Sequence, residues 1–377
     1  MQTTVPSSSR TATWWLPWAG AIVLAASIVV SGYALNGLNT ARGTNVTHHG
    51  LVPDAETQLG ACVHNTTIDF RTQAPQIDAG QLSLWKINVI DNRTKLPLEN
   101  FETVHTKLMH LIVVSDDLSY FNHIHPEFKG DGGSFMVETT LPRGGAYKFY
   151  ADYTPRPELG AKDQQEVGQF AFTATGATTP PLGLVADRPG ADGMVTKDCV
   201  ALPDTVALDE KAPQNGTHYL VSLSADPPHL MAHLTSMLHF RIRTADNRPI
   251  TDLQPYIGAM AHGVFLSAST KVYLHSHPMV NMNDSSDGFN PTVDPSGEDI
   301  VFPMNFPEAG LFKMWIQFKH HDQLITAPFV IDVAPAAPTA PAPLSNVLYV
   351  CPMHPDETST DPNAVCPRCH MAMVRKK

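Results

Sequence analysis

Two stretches of the chain carry the same histidine spacing. HLIVVSDDLSYFNHIHPE (residues 110–127) and HGVFLSASTKVYLHSHPM (residues 262–279) each place a histidine, twelve residues, and then His-x-His-Pro. The likeness extends to both sides. WKINVIDNR (85–93) lines up with HFRIRTADNR (239–248), and LPRGGAYKFYADY (141–153) with FPEAGLFKMWIQF (306–318), keeping Pro142/Pro307, Gly145/Gly310 and Lys148/Lys313 in step. A repeat of this length means two copies of one fold. Within each copy, short apolar runs of period two are separated by Gly, Pro, Asp and Asn, the pattern of strands joined by turns. The expected fold class is all-β: two tandem immunoglobulin-like or cupredoxin-like β-sandwiches at 62–175 and 213–333. A Pro/Gly/Asp-rich connection at 176–212 joins them.

The repeated spacing has a geometric reading. A hairpin with Asp116-Asp117 at its tip sets His110 opposite His123, with Cβ atoms about 5 Å apart, and His125 diagonal on the same face. A tip at Ala268-Ser269 does the same for His262, His275 and His277. A one-residue slip would turn a histidine to the other face, so convergence demands a fixed spacing. Three imidazoles on one face suit copper, zinc or nickel. His110, His123, His125, His262, His275 and His277 are therefore candidate metal ligands, one site per domain. The alternative is packing, because Ile112, Val114, Phe121, Val264 and Tyr273 share those faces. The second copy adds PPHLMAHLTSMLH, which reads as an extended segment alternating His229, Met231, His233, Met237 and His239. Thioether with imidazole favours Cu(I), whereas methionine also serves as core filler. The longer loop beyond His277, containing MVNMNDSSDGFNP, offers room for binding.

Composition narrows the partners. Of 377 residues, 18 are His and 14 Met, and the net charge of −11 leaves no basic surface for nucleic acid. Residues 13–35, TWWLPWAGAIVLAASIVVSGYAL, are uncharged and long enough for one transmembrane helix. Residues 1–36 are thus expected to be a membrane anchor, with a cleaved signal segment as the competing reading. The rest of the chain is then exported, periplasmic or extracellular, at a cytoplasmic membrane crossed once. In that setting Cys62 and Cys199 have the option of a disulfide. Both are expected outside the strands, which leaves neither sandwich a Cys ligand for a blue-copper site. HIHPE with Glu127 offers a cupin-like metal-enzyme alternative, but the second copy has Met279 at that position. With no nucleophile elbow, P-loop or His-Glu-x-x-His motif, the expectation is a protein that is not an enzyme.

Residues 334–346 form a Pro/Ala linker, expected to be stiff and to hold its cargo about 35 Å away at about 3.1 Å per residue. That cargo, 347–377, is VLYVCPMHPDETSTDPNAVCPRCHMAMVRKK. Cys366-x-x-Cys369 is a knuckle spacing, and Cys351 with His354 completes a tetrahedral set. A segment this small needs a metal to supply its folding energy. It resembles the heavy-metal-binding domain at the ends of copper- and silver-efflux proteins, whose pattern is Cys-Pro-Met-His-Pro, then Cys-Pro-x-Cys-Gly-Met. On that resemblance Cys351, Met353, His354, Cys366, Cys369 and Met371 are metal ligands. His370, in place of the glycine, adds an imidazole. The two sandwiches also resemble paired domains of uncharacterised exported bacterial proteins that carry this tail.

The expected function is exported, membrane-tethered heavy-metal binding, copper as Cu(I) foremost with zinc as the alternative, for sequestration or delivery in metal homeostasis. A metal efflux or acceptor protein is the expected partner. The alternative is a docking scaffold of a membrane efflux or assembly system in which only the tail is metallated.

Overall fold

The computed structural model describes residues 39–42, 45–46, 66–156, 165–181, 183–202, 216–278, 300–336 and 347–376. The N-terminal apolar segment, Cys62 and the 279–299 loop lie outside these. No described helix is long and apolar enough to cross a membrane.

Each half is a sandwich of two antiparallel sheets. In the first, β1 (Thr66–Thr72), β2 (Leu82–Asp91) and β5 (Ser134–Thr140) pair in that order. They face a sheet in which β3 (Met109–Ser115) lies between β4 (Phe121–Ile124) and β6 (Gly145–Tyr153), with β7 (Glu166–Thr175) beyond. The second half repeats this. One sheet runs β8 (Val195–Val200), β9 (His218–Asp226), β10 (Thr235–Thr244), β13 (Ile300–Asn305). The other runs β12 (Tyr273–Ser276), β11 (Ala261–Ser267), β14 (Gly310–His320), β15 (Gln323–Val333). The strand order β4-β3-β6-β7 thus recurs as β12-β11-β14-β15, as the sequence repeat requires. Short strands at Asn39–Arg42 and Asn45–Val46 add to the edges of the first sandwich, where the sequence shows only polar chain.

The segment 176–212 is more than a connection. Val195–Val200 pairs along its length with β9, and buried Cys199 joins the second core. Pro, Gly and Asp on both sides of six alternating residues mask the strand. Cys199 therefore sits inside a strand, contrary to the expectation above.

Alternation builds the cores. In β1 every second residue is buried, bringing Ile68 and Phe70 against Trp85 and Phe149. The strands β3 and β11 differ, being buried along their whole length. Met109, Leu111 and Val113 enter the first core, and Ala261 and Phe265 the second. The opposite faces, Ile112 and Val114 with Val264 and Leu266, meet in a separate cluster that joins the two domains. Continuous runs such as HLIVVS mark a strand covered on both sides. Here the second cover is the other domain.

Candidate metal centres

The hairpins fold with a register two residues from the expected one. Ile112 opposes His123 and Val264 opposes His275. The tips are Asp117-Leu118 and Ser269-Thr270, with Leu118 and Thr270 in the left-handed region at φ 56° and 57°. Ser115 Oγ and Ser267 Oγ accept from the backbone N–H of Tyr120 and Val272 across these tips, which lie one residue beyond the expected ones. A shift of two preserves the face, so the histidines still converge.

They converge on one place. The two triads, one from each domain, face a single buried chamber between the domains. His110 Nδ1 lies 3.1 Å from His123 Nε2, and His125 Nε2 lies 3.2 Å from that same atom. In the second half His262 Nδ1 is 3.3 Å from His275 Nε2 and 3.0 Å from His277 Nε2. The imidazoles of His110, His262 and His275 also come close enough to share one ion. Their outer nitrogens are held. His110 Nε2 is 3.1 Å from the Val104 carbonyl, and His262 Nε2 is 2.8 Å from the Tyr256 carbonyl. His123 Nδ1 reaches Gln317 Oε1 at 2.8 Å, and His275 Nδ1 reaches Asp152 Oδ2 at 3.0 Å.

These last two contacts cross between domains, and they are counterparts. Asp152 stands four residues after Lys148, as Gln317 does after Lys313. Two aromatic stacks cross in the same manner: Phe121 on Trp315 (4.6 Å between centroids, 13° between planes) and Tyr273 on Tyr150 (4.8 Å, 12°). Residue i of one half meets j of the other, and j meets i, which is the rule of a two-fold interface. The domains therefore pack as a dimer does, within one chain.

Burial sets the electrostatics. It holds His110 down to about 3 and His125 to about 2, and keeps His123, His262 and His277 well below the ordinary imidazole range. Neighbouring imidazoles lower them further, because a second positive charge beside the first is unfavourable. His105, stacked on His277 at 3.7 Å, is likewise held down to about 4 by burial.

The tail forms a small three-stranded sheet of Tyr349–Val350, Thr358–Ser359 and Val374–Arg375. It gathers Cys351, His354, Cys366 and Cys369 into one cluster. Cys351 Sγ lies 3.5 Å from Cys369 Sγ and 3.7 Å from His354 Nδ1, which is 3.5 Å from Cys366 Sγ. Bonds of about 2.3 Å to a central ion give tetrahedral edges of about 3.8 Å, so the four atoms are spaced as ligands. The thiols share their protons unequally. The Cys351 hydrogen bond drives Cys366 far down and Cys369 up, while Cys351 itself is pushed up to about 11 by Cys366. The first thiolate therefore forms at Cys366. Met371 and Met373 are buried in the cluster and Met353 packs on it. His370 takes the glycine position with φ 57° and lies on the other side, in a crevice with His275 and Met304.

The tail is not held at a distance. The Gln165 N–H donates to the Arg368 carbonyl, the Thr235 N–H to Asn363 Oδ1, and Asn305 Nδ2 to the Asn363 carbonyl. A linker of this length also allows the chain to fold back. The tail closes the mouth of the chamber, where Met353, Cys369 and Met371 line one cavity with His110, His275 and His277. The methionine-histidine segment of the second domain is not one extended row. Residues 227–234 turn, with His233 at φ 62° and His229 and His233 exposed, whereas Met237 and His239 lie in β10. No cluster among the described residues includes these histidines. Met279 and Met282 lie outside the described residues.

A family described as "Domain of unknown function (DUF8832)" matches residues 61–165 and 214–335, more than half the chain. The chain belongs to that family. Residues 348–376 match a second family, "Heavy metal binding domain", so the tail is a heavy-metal-binding domain and the resemblance read from its motif holds. No curated protein matches. Among solved structures, the ectodomain (Ig1–Ig3) of mouse nectin-like molecule 4 is 9% identical over 73% of this chain, which spans 66% of that one, with a TM-score of 0.16. The Escherichia coli adhesin FdeC is 13% identical over 78% of this chain and 88% of its own, with a TM-score of 0.19. At those scores the likeness carries no argument.

Sequence reasoning missed His105, Asp152 and Gln317. The last two had a signal, since the aligned strands AYKFYADY and LFKMWIQF each end in one polar residue between apolar ones. It also passed over Asp252, His320 and His321, a mostly exposed group with ligand-like spacing.

Proposed function

We propose that this protein binds copper outside the cytoplasmic membrane, tethered by its N-terminal segment, and sequesters the ion or delivers it to an efflux or acceptor protein. The observation that carries this is the Cys351/His354/Cys366/Cys369 cluster with Met353, Met371 and Met373 packed about it. Thiolate with thioether favours a soft monovalent ion over zinc. The uncharged segment 13–35 supports the anchor, with the bulk of the chain on the far side as a single-pass protein. The protein acts as a binder rather than an enzyme, with the ion as its cargo. The test is metal content of the purified full chain after anaerobic loading with Cu(I) and, separately, Zn(II). Copper retained against a chelator that strips zinc supports the reading. Retention of zinc alone overturns the copper assignment, and retention of neither overturns metal binding as the function.

A further inference from the structure

The chamber between the domains presents an electrostatic problem that an ion solves. Carbonyl oxygens only accept hydrogen bonds, so the proton of His110 sits on Nε2, facing Val104, and that of His262 on Nε2, facing Tyr256. The Gln317 amide is oriented by its own donation to Thr326 Oγ1, which leaves Oε1 to accept from His123 Nδ1. Asp152 accepts from His275 Nδ1. Each of these imidazoles, when neutral, then aims a bare lone pair inward. His110 Nδ1 and His123 Nε2 meet lone pair to lone pair at 3.1 Å, and His262 Nδ1 and His275 Nε2 do so at 3.3 Å. Two acceptors at that distance repel unless a cation lies between them. His125 Nε2 completes three nitrogens around the first point. At the second, His277 Nε2 lies 3.0 Å from His262 Nδ1, while His110 comes close enough to His262 and His275 to share an ion with them.

We propose that these six imidazoles form an interdomain chamber holding two Cu(I) ions side by side, one at each meeting of lone pairs, and requiring both domains for each. This deepens the copper-binding reading and rests on it. Bonds of about 2.0 Å to nitrogen place neighbouring ligand atoms about 3.3–3.5 Å apart, close to the 3.0–3.3 Å found here. Outer N–H groups held by carbonyls and a carboxylate are the arrangement that orients metal-bound histidine. Charge selects the monovalent ion. Besides the imidazoles, the carboxylate that reaches them is Asp152, and the cost of burying an ion rises with the square of its charge. The sulfurs of Met353, Cys369 and Met371 at the mouth favour the same soft ion. The ion keeps its oxidation state throughout. Repulsion between adjacent ions makes the second bind more weakly.

The crossing of acceptors between domains supplies the test. Cu(I) is titrated anaerobically into the metal-free full chain, and copper ligation is followed by X-ray absorption. The expected result is one sulfur-ligated ion and then two that are ligated by nitrogen. Gln317→Leu, a change in the second domain, is expected to weaken one nitrogen-ligated ion, the one held by first-domain histidines, by about 10- to 100-fold. Gln317→Glu, which keeps the acceptor, should retain it. If Gln317→Leu fails to fold by circular dichroism, Asp152→Leu serves in its place, read on the other ion. Sulfur ligation with no nitrogen-ligated copper overturns the chamber and leaves the tail reading intact. Nitrogen-ligated copper indifferent to both substitutions overturns the sharing between domains. No copper in either place overturns the function proposed above.

Discussion

Acid should separate the two domains of the metal-free protein. His110, His123, His262 and His277 are at most 7% exposed, and burial holds all four well below 6.5. Once the domains part, one imidazole of each neighbouring pair, His110 with His123 and His262 with His277, titrates near 6.5. The second stays lower, because two positive charges about 3 Å apart repel. Below that pH the separated form binds more protons than the docked one, so docking weakens as pH falls and is at full strength above about 6.5. The Asp152 carboxylate opposes this at His110, but burial outweighs it there. Lys107 acts in the same sense as burial at His125. One imidazole of each pair then costs docking about 1.4 kcal/mol at pH 5.5. Together they cost about 3 kcal/mol, a sizeable share of the stability of a small domain. The seam opens before the cores do, because its cluster of ten buried side chains is smaller than either core. Small-angle scattering of the purified metal-free chain between pH 7.5 and 4.5 should show extension with a steep midpoint between about 5 and 6. Trp315, released from Phe121, should change its fluorescence over the same range. An unchanged scattering radius and unchanged fluorescence down to pH 4.5 would refute the assignment of buried neutral imidazoles.

Other substitutions test separate contacts. Trp315→Ala should cost about 3–5 kcal/mol. Combined with Phe121→Ala, it should show a coupling of about 0.5–1.5 kcal/mol in a denaturant double-mutant cycle; simple additivity would deny the stack across the seam. Cys369→Ser should leave the metal-loaded tail sensitive to protease while the sandwiches stay protected, because the ion supplies much of the folding energy of so small a unit.

The fold was largely legible because its signals are local. Alternation in LSLWKINVID and HFRIRT announces strands, and the matched turns at Asp91-Asn92-Arg93 and Asp246-Asn247-Arg248 announce the repeat. The tail was legible from one motif whose cysteine spacing already implies tetrahedral geometry. The hairpin register differs from the expected one because the position of the tip depends on side-chain bonds from Ser115 and Ser267, which a count of residues does not contain. The joining of two triads into one chamber was hidden for a different reason. Facing between domains leaves no period in either sequence, only the doubly buried runs of β3 and β11 and the aligned pair Asp152 and Gln317. The distance of the tail was misjudged because a linker's reach bounds where its cargo can go, not where it binds.

The interface has the form of a dimer, yet one chain supplies both sides. Two identical subunits must carry every substitution twice, whereas here a change on one side leaves its counterpart alone. Asp152 and Gln317 are such a pair, a carboxylate against His275 and a neutral amide against His123. The two ends of the chamber therefore have different polarity. In the proposed two-ion chamber a first cation would settle beside the carboxylate and a second at the amide end, a direction of filling that no symmetric assembly has.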